Sequence, residues 1–328
     1  MGYSNEVVQR ARDRLARAKA DRESENQRHL AEAYARIPRL KEIDLQLRRT
    51  MIMAAQTVFS KGGDMQAEME RVKQENLSLQ AERAYLVSSH FEEGYLDETP
   101  ICDRCGGTGY VGSTMCECLL ELCRLEQKKE LSILSGGKES FSKFRLDYYS
   151  DAYDHRYGGS PRRIMEQNLK SCRSFAATFS QNSGNLLFVG GTGLGKTFLA
   201  ASIAREVAER GCSVCYETAS RLFTRMERAK FAGDEEARRE VEKYTEADLL
   251  IIDDLGTEMP GQFVTAALYG LLNERLLAGR SMVITTNLNV DEAGQRYSPQ
   301  VASRLYGSFV RLTFVGEDIR VLKNKVML

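Results

Sequence analysis

An α/β fold built on a parallel, helix-covered sheet is predicted by three features of the sequence. Gly190-Gly191-Thr192-Gly193-Leu194-Gly195-Lys196-Thr197 fits the phosphate-loop pattern G-x-x-x-x-G-K-[ST] at every fixed position. It stands between a short strand-like run, 185–189, and a helix-like run, 198–201. About fifty residues on, Leu249-Leu250-Ile251-Ile252-Asp253-Asp254 is an apolar run ending in two acids, the pattern of a strand buried on both faces. Between and beyond these runs, strand-like and helix-like segments alternate, as in repeated βαβ units.

Ahead of that region, residues 1–95 read as a helical, mostly solvated arm with one proline, Pro38. Ile37, Leu40, Leu47 and Met51 lie along one helical stripe, with Ile43 beside it. Lys61-Gly62-Gly63-Asp64 breaks the pattern. Met65, Met69, Val72, Asn76, Leu79, Arg83 and Leu86 then follow alternating steps of four and three, a heptad seam in which Asn76 can fix register. The seam is short and carries a charge, which favours an antiparallel hairpin within the chain over a coiled coil between chains. No catalytic constellation falls here, so the segment reads as a partner-binding arm.

Residues 96–130 are cysteine-rich. Cys102-x-x-Cys105 precedes Gly106, Gly107 and Gly109; Cys116-x-Cys118 follows, and Cys123 stands a turn further on. Two cysteine pairs across a short glycine-bearing loop supply four soft ligands for tetrahedral Zn²⁺, with Cys102, Cys105, Cys116 and Cys118 as the expected set. Cys123 and His90 compete with Cys118 for the fourth place. The expected role is to fold the small unit. Cys172, Cys212 and Cys215 read as core residues.

Residues 140–328 carry the sheet and the chemistry. Glycines at 190, 191, 193 and 195 let backbone N–H groups close around a triphosphate at a helix N-terminus. Lys196 is expected to reach the β- and γ-phosphates and Thr197 to ligate Mg²⁺. The helix after the loop is expected to stop at Gly211, followed by the strand Ser213-Val214-Cys215-Tyr216 and charged helices over 219–245. Ligands of such sheets gather at the carboxyl ends of the strands, so Asp253 is expected in the Mg²⁺ shell and Asp254 beside the attacking water. A helix over 261–278 and the strand Ser281-Met282-Val283-Ile284-Thr285 complete the alternation.

Composition narrows the partners. Forty-six Lys and Arg against forty-six Asp and Glu give no net charge among 328 residues, so any nucleic-acid binding must use a local patch. No apolar run approaches the roughly eighteen residues that span a bilayer. With no secretory pattern at the start, the reading is cytoplasmic, and the eight cysteines then suggest metal or free thiols over disulfides.

The loop at 190–197, Ile252-Asp253-Asp254-Leu255-Gly256, Ile284-Thr285-Thr286-Asn287 and Ser303-Arg304-Leu305 together resemble the AAA+ P-loop ATPases of the DnaC/DnaI helicase-loader type, and the related IstB transposition helpers. The resemblance extends to the cysteine segment, which recurs ahead of the ATPase domain in loaders of Gram-positive type. It implies ATP as cofactor and several roles. Asn287 takes the sensor position that orients the attacking water. Arg304 aligns with the arginine finger that enters a neighbouring subunit's site, with Arg296 as rival, and so implies self-association. Arg320, in Gly316-Glu317-Asp318-Ile319-Arg320, fits a second sensor arginine. Asp254 stands where many relatives have Glu, which implies slow or partner-dependent hydrolysis. Only eight residues follow Arg320, which implies no separate helical lid.

Partners are implied in the same way: a replicative hexameric helicase gripped by the N-terminal region, and single-stranded DNA. Arg221, Phe223, Arg225, Arg228 and Lys230 form one candidate strand-binding surface. Phe141-Ser142-Lys143-Phe144-Arg145-Leu146-Asp147-Tyr148-Tyr149 reads mainly as a strap on the ATPase core. A transposase is the alternative client. An adaptor that uses ATP as a switch, with negligible hydrolysis, is a third reading.

Overall fold

The computed structural model describes residues 3–59, 65–134, 139–180, 182–231 and 235–326. They divide into two compact units, residues 13–116 and residues 1–12 with 117–328.

The first unit is mostly helical. Helix α1 (Asn5–Arg36) ends just before Pro38, which opens α2 (Pro38–Phe59); α3 (Met65–His90) returns. Proline suits a first helical position because its missing N–H would have no partner there. Leu40, Ile43 and Leu79 are buried on the seam between α2 and α3. Thr50 donates to the Asn76 side chain across it, Arg83 pairs with Asp44 at 2.8 Å, and Arg39 with Glu82 at 2.8 Å. Asn76 therefore holds register within one chain, by an intramolecular bond. The break at 61–64 lies outside the described residues, as do the side chains of Met51, Met65 and Met69. Further on, β1 (Tyr110–Val111) and β2 (Thr114–Met115) form a small antiparallel hairpin.

The second unit is α/β. Strands β3 (Leu186–Val189), β4 (Val214–Thr218), β5 (Leu249–Leu255), β6 (Ser281–Thr286) and β7 (Val310–Thr313) lie in the order β4-β5-β6-β3-β7, all parallel. Alternation sorts their side chains by face. Leu186, Phe188, Leu249, Ile251 and Val283 pack with α5 (Pro161–Ala177) and α6 (Lys196–Glu209). Leu187, Leu250, Ile252, Met282 and Ile284 pack on the other face, with α7 (Ala219–Phe231), α8 (Glu235–Glu246), α9 (Gln262–Leu277) and α11 (Pro299–Gly307). Both faces of β3, β4, β5 and β6 are mostly buried, which is why these strands read as apolar runs, whereas the edge strand β7 buries only Leu312 and was not expected from the sequence.

Helix α4 (Glu117–Leu134) covers the β4 edge. Gln127 accepts from the Val214 N–H at 2.9 Å and donates to the Cys212 carbonyl at 2.9 Å, doing what one more strand residue would do for an open edge. Tyr3 joins the same side, donating to the Gly211 carbonyl at 3.0 Å. The remaining helices are α10 (Val290–Arg296) and α12 (Ile319–Val326).

The candidate nucleotide site

The phosphate loop joins β3 to α6. Gly195 caps α6 with φ +90°, a left-handed conformation that glycine adopts without steric cost. Gly193 has φ +71°, and a Cβ there would collide with the Asp318 carboxylate at the start of α12. The Gly193 carbonyl accepts from the Ile319 N–H at 3.0 Å, so the C-terminal helix is bonded directly to the loop.

Around the loop lies a cavity of about 400 Å³, within the usual range for a ligand site of roughly 300–1,000 Å³. Thr192, Lys196, Thr197, Asp254, Asn287 and Arg320 line one side, and Phe144, Arg145, Tyr148 and Tyr149 of the strap line the other. The strap is anchored in the core. Phe141 and Tyr149 are buried, Tyr149 donates to the Leu194 carbonyl at 2.9 Å, and Phe144 packs against Tyr149 and Phe198 at ring separations of 5.8 and 5.7 Å.

Inside the cavity the charges are held close. Lys196 is buried and donates to the Gly190 and Gly191 carbonyls at 2.7 and 2.6 Å. Burial pushes its pKa down, while Asp254 and Asp253 favour the charged form. Asp253, at the end of β5, accepts three hydroxyl hydrogen bonds: from Thr285 at 2.6 Å, Tyr216 at 2.8 Å and Thr197 at 3.2 Å. Asp254 has a backbone φ of +56°. Its carboxyl is pushed above the ordinary range, by burial first and by Asp253 second; Lys196 and Arg320 pull the other way. Arg320, in the first turn of α12, is thus felt by both Lys196 and Asp254. Asn287, just past β6, shares the same wall, its side chain close beside Gly256.

Arg304 does not line this cavity. It lies on α11, bonded to Asn273 at 2.7 Å and to the Tyr269 hydroxyl at 2.9 Å, with its guanidinium 4.3 Å from the Tyr269 ring centroid. Arg296 also stays outside. It pairs with the buried Glu258 at 3.3 Å, and Tyr297 donates to the same carboxylate. A tightly paired Arg296 is tied to its own fold.

The candidate strand-binding surface on α7 needs correction. Phe223 is 3% exposed, packed beneath α7 with Leu222 and Tyr244, because it falls on the stripe of α7 that faces the sheet. Arg221 and Arg225 turn toward the buried Glu217, at 3.8 and 3.4 Å. The exposed ring is Phe231, 70% accessible, beside Phe263, with the Lys230 ammonium 5.6 and 5.3 Å from the two ring centroids.

The four cysteine sulfurs of Cys102, Cys105, Cys116 and Cys118 lie within 4.8 Å of one another. Zn–S bonds of about 2.3 Å in a tetrahedron require sulfurs about 3.8 Å apart, and the Cys102 and Cys116 sulfurs are 3.8 Å apart. The Gly109 N–H points at the Cys105 sulfur from 3.3 Å, a contact that favours the thiolate. The donor set fits zinc. Cys123 is buried on α4 with its thiol pushed up to about 11 by burial, and His90 bonds to the Leu86 carbonyl; neither belongs to the cluster.

Tyr216 and Thr285 hold Asp253, a role that the sequence did not announce for either. Thr285 falls within the motif Ile284-Thr285-Thr286-Asn287, and Tyr216 is a polar residue near the end of an otherwise apolar strand.

Comparison with known proteins identifies the relatives. The model of the family described as IstB-like ATP binding protein matches residues 138–307, just over half of the chain. A putative ATP-binding protein of insertion sequence IS232 from Bacillus thuringiensis subsp. berliner is 30% identical over 148 residues, 44% of this chain and 58% of that protein. The replicative helicase loader DnaC of Escherichia coli (strain K12) is 25% identical over 137 residues, 42% of this chain and 56% of that protein. The chain thus spans little more than half the length of these relatives. A crystal structure of the DnaC helicase loader aligns over 53% of this chain and 98% of its own, at 21% identity and a TM-score of 0.44. No helix among the described residues is long and apolar enough to cross a membrane.

Proposed function

The chain belongs to the IstB-like ATP-binding protein family, and we propose that it is an ATPase that loads a replicative hexameric helicase onto single-stranded DNA. The observation that carries the ATPase reading is the single cavity that gathers the phosphate loop, Asp254, Asn287 and Arg320. Phosphate oxygens are charged acceptors, stronger for Lys196 than the neutral carbonyls it now bonds. Mg²⁺ would be held by Thr197 and Asp253, which already touch. Asp254 and Asn287 would orient the attacking water, and Arg320 would meet charge on the γ-phosphate. Arg304, outside its own cavity, serves a neighbouring copy as the arginine finger. Zn²⁺ on the four cysteines would fix the turns of the small hairpin, a folding role.

The client reading rests on the helical unit. Its hairpin exposes Leu45, Ile52, Leu77 and Tyr85, apolar surface that suits a protein partner. Single-stranded DNA would meet Lys230, Phe231 and Phe263, where rings and a cation lie together. The alternative client, a transposase, is favoured by the 30% identity to the IS232 protein.

A pull-down of the host replicative helicase with ATP tests the choice. Cutting the chain at Phe141 would strip α4 from the β4 edge, so the full chain is compared with Leu45→Glu/Ile52→Glu. Capture by the parent chain and not by the variant is the expected result. No helicase captured by either, with a transposase captured instead, would replace the loader reading by the alternative.

A further inference from the structure

A regular strand sends successive side chains to opposite faces, so two neighbouring acids on one strand should not serve one site. Strand β5 solves this with one extra residue. Ile252 pairs with Ile284 and Leu255 with Thr286, so Asp253 and Asp254 together oppose Thr285 alone. This is a β-bulge, the device that re-aims a side chain beside a site. It leaves Asp253 bonded to Thr197 of the phosphate loop while Asp254 lines the cavity. The bulge removes the regular ladder partner of the Asp254 N–H and puts Asp254 at φ +56°, where a residue with a Cβ is strained.

One side chain answers both demands. The Thr285 hydroxyl, 0% exposed, accepts from the Asp254 N–H at 2.8 Å and donates to the Asp253 carboxylate at 2.6 Å. It takes the place of the missing ladder bond and donates its own hydrogen bond to the neighbouring acid. Tyr216 bonds Asp253 alone.

We propose that Thr285 is the positioning residue of the acid pair: its hydroxyl fixes the bulge that brings Asp253 and Asp254 into one nucleotide site. The inference rests on the ATPase reading for its consequence in turnover, but the bulge can be tested apart from it. Without the hydroxyl, the Asp254 amide, part-buried, loses the acceptor that replaces its ladder partner, and Asp254 turns toward the face that Ile252 occupies.

The experiment uses the full chain and three variants, Thr285→Val, Thr285→Ser and Tyr216→Phe. It measures ATP turnover over a Mg²⁺ titration and hydrogen exchange at the Asp254 amide. Valine keeps the shape and removes the hydroxyl; serine restores it. Thr285→Val is expected to lower kcat about 10–100-fold, the usual range for losing a group that orients a metal-site ligand, with more Mg²⁺ needed for half-maximal turnover. Its Asp254 amide should lose protection, while Thr285→Ser keeps both protection and turnover. Tyr216→Phe should slow turnover less and leave the Asp254 amide protected. Parental turnover in Thr285→Val overturns the proposal. So does serine as impaired as valine at equal melting temperature, which would mean the methyl packing matters and the hydroxyl does not. If the parent chain hydrolyses no ATP, the ATPase reading fails by itself, and the amide decides the rest: protection lost in valine and kept in serine supports the positioning role, and protection unchanged in valine overturns it.

Discussion

The two ends of the central sheet both bury charge, and they do so in opposite ways. At the carboxyl end, Lys196 is bonded to two carbonyls of the phosphate loop and Asp253 to three hydroxyls, one of them on Thr197 beside the cavity that a ligand can enter. At the amino end, Arg275 on α9 is 0% exposed, and no carboxylate among the described residues is bonded to it. It donates instead to five backbone carbonyls: Tyr244 at 2.9 Å, Thr245 at 3.2 Å, Ala247 at 2.9 Å, Asp248 at 3.4 Å and Ser281 at 2.7 Å. Burial pushes its pKa down to about 10, still charged at neutral pH. Those carbonyls lie at the end of α8, whose last carbonyls have no partner within the helix, and at the starts of β5 and β6. The lesson is that burial alone does not mark a functional charge. A charge held by backbone carbonyls remote from the nucleotide cavity belongs to the fold; one whose partners border that cavity belongs to the site.

That contrast is open to a direct attack, strongest first. Arg275→Met should cost about 3–5 kcal/mol, since four carbonyls lose the Arg275 donor in a largely dry interior, the Thr245 carbonyl keeping Arg280 at 2.7 Å. Calorimetry should show a drop in Tm of about 10 °C in the α/β unit, with nucleotide affinity retained at temperatures where the protein stays folded. A small drop would mean water reaches those carbonyls, and the fixed-partner argument would fail.

Lys196→Ala is the converse. Turnover should fall about 10²–10³-fold, the scale of removing one preorganised donor from developing charge. Tm should hold or rise, because the desolvation penalty on the ammonium goes with it. A loss of stability as large as that of Arg275→Met would erase the distinction between the two ends.

Asp254→Asn sharpens the comparison with the smallest effect. The folded-state pKa of Asp254 is raised above its unfolded value, so the folded state binds the proton more tightly. Its charged form therefore lowers stability at neutral pH, and that penalty fades as pH falls below the ordinary carboxylate range. The variant should melt about 2 °C higher than the parent at pH 7, with the difference gone in acid, while ATP hydrolysis slows. A lower Tm at neutral pH would show that the carboxylate contributes to the fold at the carboxyl end as well.

Most of the sheet was legible because the inner strands are buried on both faces and so stand out as apolar runs: Leu249 to Ile252 and Met282 to Ile284 need no context to be recognised. The edge strand β7, Val310–Thr313, buries only Leu312 and was not recognised. The phosphate loop was legible because its glycines and Lys-Thr ending are required by local backbone geometry. The surface of α7 was less so. Arginine and phenylalanine in one helix suggested a nucleic-acid face, but which stripe of that helix meets the sheet is decided by packing, and Phe223 went inside while Phe231 stayed out. In the helical unit, Asn76 announced a register device without naming its partner; Thr50 is twenty-six residues away.

By itself the sequence determined the parallel α/β class, the phosphate loop, the acid pair and the four cysteines that cluster, since each depends on residues close together in the chain. Only the tertiary structure decided that Arg275 seals the far end of the sheet, that Phe223 is buried under α7, and that Thr285 and Tyr216 hold Asp253. Those contacts join strands and helices that are remote in sequence. A hydroxyl or guanidinium takes its role from what the fold places within hydrogen-bond reach, and no local pattern of residues encodes that distance.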